Sequence, residues 1–330
     1  MNALGYVHIS QAVEETKEYI DKRRRGLITS LRTGIEKLDN STLNGFEWGR
    51  IVTLAGASGS GKSLIVELFK RGFIEHNDQK FKILSFEFEM LARDQILRQL
   101  SGKVNKSTKY LQTTEMDDDE FSALSSYMDD MKDYPIYYAD DTGTVIQIVK
   151  TIEAFIEEFK MIENREGLVV TLDHIILTLG RQGEDDKQVV DFLYKSCIRL
   201  KKYYASKGFN IMFILLSQLN REHKKSERIL NPELHYPTEA DLFGSSIPFM
   251  SSDYVLISHK PSRIPGMAEW YGPPLPNLGF PYGLPVKNPE NPSQSMIYWH
   301  LIKNRGDDEA LLIMLDNFKN SKIDEYKKKK

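Results

Sequence analysis

The octapeptide Gly56-Ala-Ser-Gly-Ser-Gly-Lys-Ser63 constrains this chain more than any other feature. It matches G-x-x-x-x-G-K-[ST], follows the apolar run "RIVTLA" and opens the helical pattern "KSLIVELFKRGFIE". Two glycines, a lysine and a Ser/Thr at that spacing arise by chance in about 1% of chains of this length, given average residue usage. Gly56, Gly59 and Gly61 allow the backbone to curl until successive N–H groups point inward. The following helix N-terminus adds positive potential. With Ala57, Ser58 and Ser60 completing the loop, Lys62 is placed for the β- and γ-phosphates and Ser63 for Mg²⁺.

A strand that ends in a phosphate loop needs a sheet around it. "KFKILSFEFEM", "GLVVTLDHIIL" and "NIMFILLSQLN" are further short apolar runs with helical patterns between them. Apolar runs without alternation, separated by helices, predict an α/β fold with a mostly parallel sheet covered on both faces. Near the C-terminus, "SMIYWHLI" and "EALLIMLD" read as two strands with "KNRGDD" as the tip of a β-hairpin.

The remainder sorts around that body. Ile9 to Arg25 carries Ile9, Val13, Thr16, Tyr19 and Ile20 at helical steps, so residues 1–32 read as a linker helix and linker before a domain spanning 33–330. That stripe must be covered, either by its own domain or by a neighbouring copy. Glu115 to Asp133 predicts an exposed acidic helix. Pro261 to Pro292, dense in Pro, Gly and aromatic residues, predicts a long ordered loop rather than a strand or helix. The tail "YKKKK" reads as a solvated end. A net charge of −3 excludes a surface coated for nucleic acid and leaves only local basic patches. The single cysteine, Cys197, excludes an internal disulfide and reads as a core thiol. Neither a membrane span nor a signal peptide is evident, so the expected compartment is a reducing cytoplasm.

Three strand ends carry polar groups, and ligands of open α/β sheets bind at the carboxyl ends of strands. Asp173 closes "LVVTLD", the usual place for a Mg²⁺ carboxylate. Glu87 and Glu89 end the strand after the phosphate-loop helix. Being two apart, both can face one cleft, and spacing does not choose between them as the base that polarises water. Gln218 ends "ILLSQ", where an amide can hydrogen-bond a γ-phosphate.

In this order the motifs resemble those of the RecA-like motor domain of replicative hexameric DNA helicases, the DnaB family and its phage relatives. "TGIEKLDNSTLNGFEWGRIVTLAGASGSGKS" is similar to the family's approach to its phosphate loop, "VVTLDHI" to its acidic strand, "LLSQLNR" to its sensor and "IKNRG" to its C-terminal motif. The likeness runs from about residue 33 to 315, leaving Pro261–Pro292 uncovered. "LSFEFEM" resembles the segment whose glutamate before Met is the catalytic base, which implies Glu89, and His174 stands as in phage versions. The resemblance implies ATP or another nucleoside triphosphate with Mg²⁺, and a homo-hexameric ring or spiral moving 5′→3′ on single-stranded DNA. It implies a primase, a helicase loader or a polymerase as further partners, in a bacterial or phage-infected cytoplasm. The segment Ile9–Arg25 would dock on the adjacent subunit, with no collar or primase domain ahead of it. A RecA- or KaiC-like ring or filament without unwinding, and a nucleotide-dependent assembly protein, remain alternatives.

Two further groups follow from the resemblance. "DLFGSSIPFMSSD" is similar to the DNA-contacting loop, although Phe243 stands where relatives carry Arg, and Phe249 and Met250 also depart. Phe243 is either a base-stacking or a packing residue. The loop Asn220–Ser246 offers Arg221, His223, Lys224, Lys225 and Arg228, with the amides of Gly244 and Ser245, for a phosphodiester. Arg181 and Lys187 are weaker candidates. At the hairpin tip, Lys303 and Arg305 are expected to act in trans on a neighbour's nucleotide, as an arginine finger does.

Overall fold

The computed structural model describes residues 6–113, 116–180, 182–244, 246–267 and 269–327. In chain order the strands are β1 (Ile51–Gly56), β2 (Phe81–Glu87), β3 (Ile136–Ala139), β4 (Gly167–Asp173), β5 (Ile211–Gln218), β6 (Tyr254–His259), β7 (Trp270–Tyr271), β8 (Leu284–Pro285), β9 (Lys287–Asn288), β10 (Asn291–Asn304), β11 (Ala310–Asn317) and β12 (Lys322–Glu325). The helices are α1 (Ile9–Arg24), α2 (Glu36–Asn40), α3 (Lys62–Glu75), α4 (Ala92–Val104), α5 (Thr108–Leu111), α6 (Asp118–Met131), α7 (Val145–Glu158), α8 (Asp186–Ala205), α9 (Ser226–Leu230) and α10 (Ile247–Ser251).

The main sheet has ten strands, ordered β12-β11-β10-β6-β1-β5-β4-β2-β3, with β9 paired to β10. From β6 to β3 every pairing is parallel; β10, β11 and β12 add antiparallel strands at one edge. Parallel strands are covered on both faces, which is why β1 and β5 can be apolar almost throughout. Alternate residues serve different layers. Phe213 and Leu215 face Val190 and Leu193 of α8, with Ile148 and Ile152 of α7 in the same cluster. Ile214 and Leu216 face Phe69 and Phe73 of α3, together with Leu31, Leu38 and Phe46 of the approach segment. Capping boxes at Thr144/Gln147 and Asp185/Gln188 fix where α7 and α8 begin. Cys197 is buried on α8, as expected, and burial pushes its thiol up to about 12.

Three expectations need adjusting. Residues 261–292 are not featureless loop: β7 pairs antiparallel with β8, and Tyr271, Phe280, Leu284 and Val286 close their own apolar cluster against Met296 and Tyr298. Four histidines lie at the seam of this segment with the loop after β5: His223, His235, His259 and His300, all buried. The His235 and His259 rings are 5.1 Å apart, and His259 lies 4.6 Å from Tyr271. Second, α1 does not pack on its own domain. None of its residues is buried, and Ile9 and Ile20 are 72% and 57% exposed. It is held by Tyr19 donating to Glu47 and by Arg23 reaching Ser30. Third, the acidic segment forms α6 with only Leu124 buried, as expected for its described part; Glu115 lies outside the described residues. No described helix is long and apolar enough to cross a membrane.

Candidate functional site

β1 stops at Gly56 and α3 begins at Lys62, so the phosphate loop is the short connection between a central strand and its covering helix. Gly61 sits at φ +91°, and a Cβ there would lie 2.4 Å from the Phe318 ring, so only glycine fits. Ser258 of β6 donates to the Ser60 carbonyl at 2.7 Å, pinning the loop from the neighbouring strand. Lys62 Nζ donates to the Gly56 and Ala57 carbonyls at 2.9 and 3.2 Å. Burial lowers the Lys62 pKa, against the charges of Asp173 and Glu89.

The sheet order brings the other strand ends to this loop. A cleft of about 270 Å³ is lined by Lys62, Ser63, Glu89, Asp173, His174 and Gln218. Burial raises the Asp173 carboxyl to about 6, opposed by a hydrogen bond from Ser63 and reinforced by Glu87 and Glu89. Its Oδ1 is buried without a hydrogen-bond partner. An orphan carboxylate oxygen beside a serine hydroxyl and a phosphate loop suits Mg²⁺, which takes one or two protein oxygens and completes its shell with phosphate and water. Among the described residues no group of three or more His, Cys, Asp or Glu could hold a metal alone. His174 Nε2 lies 3.3 Å from Glu89 Oε2 and 3.4 Å from Gln218 Nε2, linking the ends of three strands.

The two glutamates part company. Glu87 does not face the cleft: it is 2% exposed, with Lys70 Nζ at 2.8 Å and Gln95 Nε2 at 2.7 Å. Glu89, past the strand end, has a side chain 57% exposed toward the cleft. The strand alternation that was to bring both to one face ends at Glu87, where β2 ends. Arg98, Arg263 and Phe318 also line the cleft and were missed. They lie in no motif; only the placement of β6 beside β1, and of the turn after β11 over Gly61, reveals them.

Arg305 stands elsewhere. β10 runs antiparallel to β6, so its end meets the start of β6, where Arg305 Nη1 lies 3.1 Å from Asp253 Oδ1. From Asp253 to Ser258, beside the phosphate loop, is five strand residues, about 16 Å. Arg305 therefore cannot reach its own loop. Lys303 Nζ is engaged with the Phe249 and Met250 carbonyls at the end of α10, at 2.6 and 3.4 Å.

In the loop after β5, Leu219 bridges Leu242 and the Phe243 N–H donates to the Gln218 carbonyl at 3.1 Å, closing its base. Arg228 pairs with buried Asp241 and also donates to the Leu234 and Tyr236 carbonyls, so it is spent inside the loop. His223 is likewise buried, whereas Lys224 and Lys225 are exposed, the latter paired with Glu222. Phe243 is half-buried against the α7–α8 core, which makes it a packing residue. Gly244 is buried beside Val190. Ser245 and Arg181 lie outside the described residues, as does the side chain of Arg221.

A parallel sheet with this loop after β1, an acid ending β4 and an amide ending β5 defines a RecA-like P-loop nucleoside triphosphatase core. The chain belongs to the family of the DnaB-like helicase C terminal domain, whose sequence profile matches residues 30–267. It is 21% identical over 259 residues to the replicative DNA helicase DnaC of Bacillus subtilis (strain 168), covering 76% of this chain and 54% of that protein. It is 23% identical over 253 residues to the replicative DNA helicase DnaB of Geobacillus stearothermophilus, covering 76% and 53%. The chain spans about half the length of these curated relatives. In fold it is similar to the ATPase domain of a phage helicase, with TM-score 0.75 at 14% identity, covering 98% of this chain and 100% of that one. A DnaB-like replicative helicase whose structure was described with its primase interactions gives 0.72 at 14% identity, covering 99% and 68%.

Proposed function

We propose that this chain is the ATP-driven motor of a replicative DNA helicase, moving 5′→3′ along single-stranded DNA as a ring of six copies. The observation that carries this reading is the split site. Lys62, Ser63, Asp173, Glu89 and Gln218 converge on one cleft, while the cation expected to complete it sits at the opposite end of the sheet.

ATP, or another nucleoside triphosphate, occupies the loop, and Lys62 exchanges its carbonyl partners for phosphate oxygens. Ser63 and Asp173 would hold Mg²⁺, which neutralises phosphate charge when bound. Glu89 orients the attacking water as general base, and His174 couples its carboxylate to Gln218, which reports the γ-phosphate. A neighbouring copy supplies Arg305, with Lys303 holding the hairpin base against α10. Residues 1–32 act as the connector, α1 docking its uncovered stripe on the adjacent copy, and 33–330 as the motor. Lys224 and Lys225 face the strand in the channel. A primase, a loader or a polymerase would meet this motor in the cytoplasm of a bacterium or phage-infected host. Strand displacement on a forked duplex, with and without ATP, tests the reading. A fork left intact despite robust ATP turnover refutes it in favour of a non-unwinding ATPase.

A further inference from the structure

Behind the cleft lies a group of charges that the functional reading does not use. Lys70 of α3 is fully buried, and its Nζ donates to Glu67 Oε1 at 2.7 Å, to Ser85 Oγ at 2.5 Å and to Glu87 Oε1 at 2.8 Å. Glu67 and Glu87 are themselves 5% and 2% exposed. From α4, Gln95 donates to the other Glu87 oxygen and Gln99 to Glu67. Ser85 also meets Thr171 of β4. The two carboxylates hold Lys70 charged, outweighing the burial that would lower its pKa.

Burying three charges costs more desolvation than an apolar filling of similar volume. What the charges supply is direction. Each oxygen of Glu87 has a separate donor, one from the phosphate-loop helix and one from α4. Glu87 pairs in register with Asp173, and the next N–H, from Phe88, donates to the Asp173 carbonyl at 2.8 Å. Glu89 follows immediately, outside the strand, so its place is inherited from the end of β2.

We propose that Lys70 is a positioning residue for hydrolysis. Through Glu87 it fixes the end of β2, and with it Glu89, relative to the phosphate loop at the head of its own helix. The inference rests on the ATPase reading above. Removing the ammonium leaves two buried carboxylates repelling each other and the end of β2 free to shift. Nucleotide binding, which uses the loop and the first turn of α3, is untouched.

The test is steady-state ATP turnover with single-stranded DNA, beside binding of a non-hydrolysable ATP analogue and thermal unfolding. The variants are Lys70→Met, Glu87→Gln and the double Lys70→Met/Glu87→Gln. Lys70→Met is expected to lose at least tenfold in kcat with KM and analogue affinity changed less than threefold. The double variant, which restores the net charge of the cluster, is expected to recover to within threefold of wild type. Glu87→Gln preserves volume and loses at least threefold in kcat; it carries the test if Lys70→Met does not fold. A kcat at wild-type level in these single variants overturns the inference, as does a loss expressed in KM or a double variant no better than Lys70→Met. Wild-type protein that does not turn over ATP at all overturns the ATPase reading and this inference with it.

Discussion

Acidification tests the histidine seam quantitatively. His300 is 1% exposed, its Nε2 lies 2.8 Å from the Tyr271 hydroxyl, and its Nδ1 has no hydrogen-bond partner. Burial lowers its pKa from 6.5 to about 3. The ring neighbours are Tyr236, Tyr271 and His259, none of which carries a charge to offset an imidazolium. Because the folded pKa is the lower one, the unfolded chain takes up the proton first. The stability this residue contributes is complete above about pH 6.5 and is lost as pH falls toward about 3. At pH 5.0 the loss from this residue alone is about 2 kcal/mol. Urea unfolding of the nucleotide-free protein at pH 7.5 and 5.0, for wild type and His300→Gln, reads it directly. Wild type should lose about 2 kcal/mol more than the variant between these pH values. His223, His235 and His259 are shifted in the same direction and remain in both proteins, so their contributions largely cancel. Equal losses in the two proteins would mean that His300 is hydrated and titrates normally.

Other expectations are simpler. Lys62→Ala should reduce ATP turnover at least about 100-fold with unchanged far-UV circular dichroism, since the lysine touches only the loop carbonyls. Arg305→Ala should cut turnover by about 10³ while analogue binding and assembly survive; an unchanged rate would return the hairpin tip to a solvated turn. Ile20→Glu on α1 should shift assemblies to lower mass in analytical ultracentrifugation. The melting temperature of dilute protein should move by no more than about 1–2 °C, because no residue of that helix is buried.

The parallel sheet was legible because each strand is a local apolar run and each crossover a local helical pattern. The phosphate loop was legible because backbone curvature demands its glycines. What resisted reading was set by distant partners. On spacing, Glu87 and Glu89 were equivalent, and only Lys70, seventeen residues earlier in the sequence, separates them. Lys70 itself reads as the solvated side of an amphipathic helix, because the carboxylate awaiting it lies on another strand. Arg228 looked like part of a basic stretch until Asp241 claimed it. The 261–292 segment lacks periodicity because it is stitched together by two-residue strands and aromatic packing rather than by a long element.

The placement of Arg305 at the start of β6, with the phosphate loop past its end, has a consequence for assembly. Donor and acceptor lie on opposite poles of one subunit, so the contact that joins them is head-to-tail rather than isologous. Each added copy satisfies one pole and exposes another, so a short oligomer always carries an unfinished site at one end. Only closure, or indefinite helical growth, removes it. Turnover per subunit should therefore climb with protein concentration, and an isolated copy would hold nucleotide without spending it.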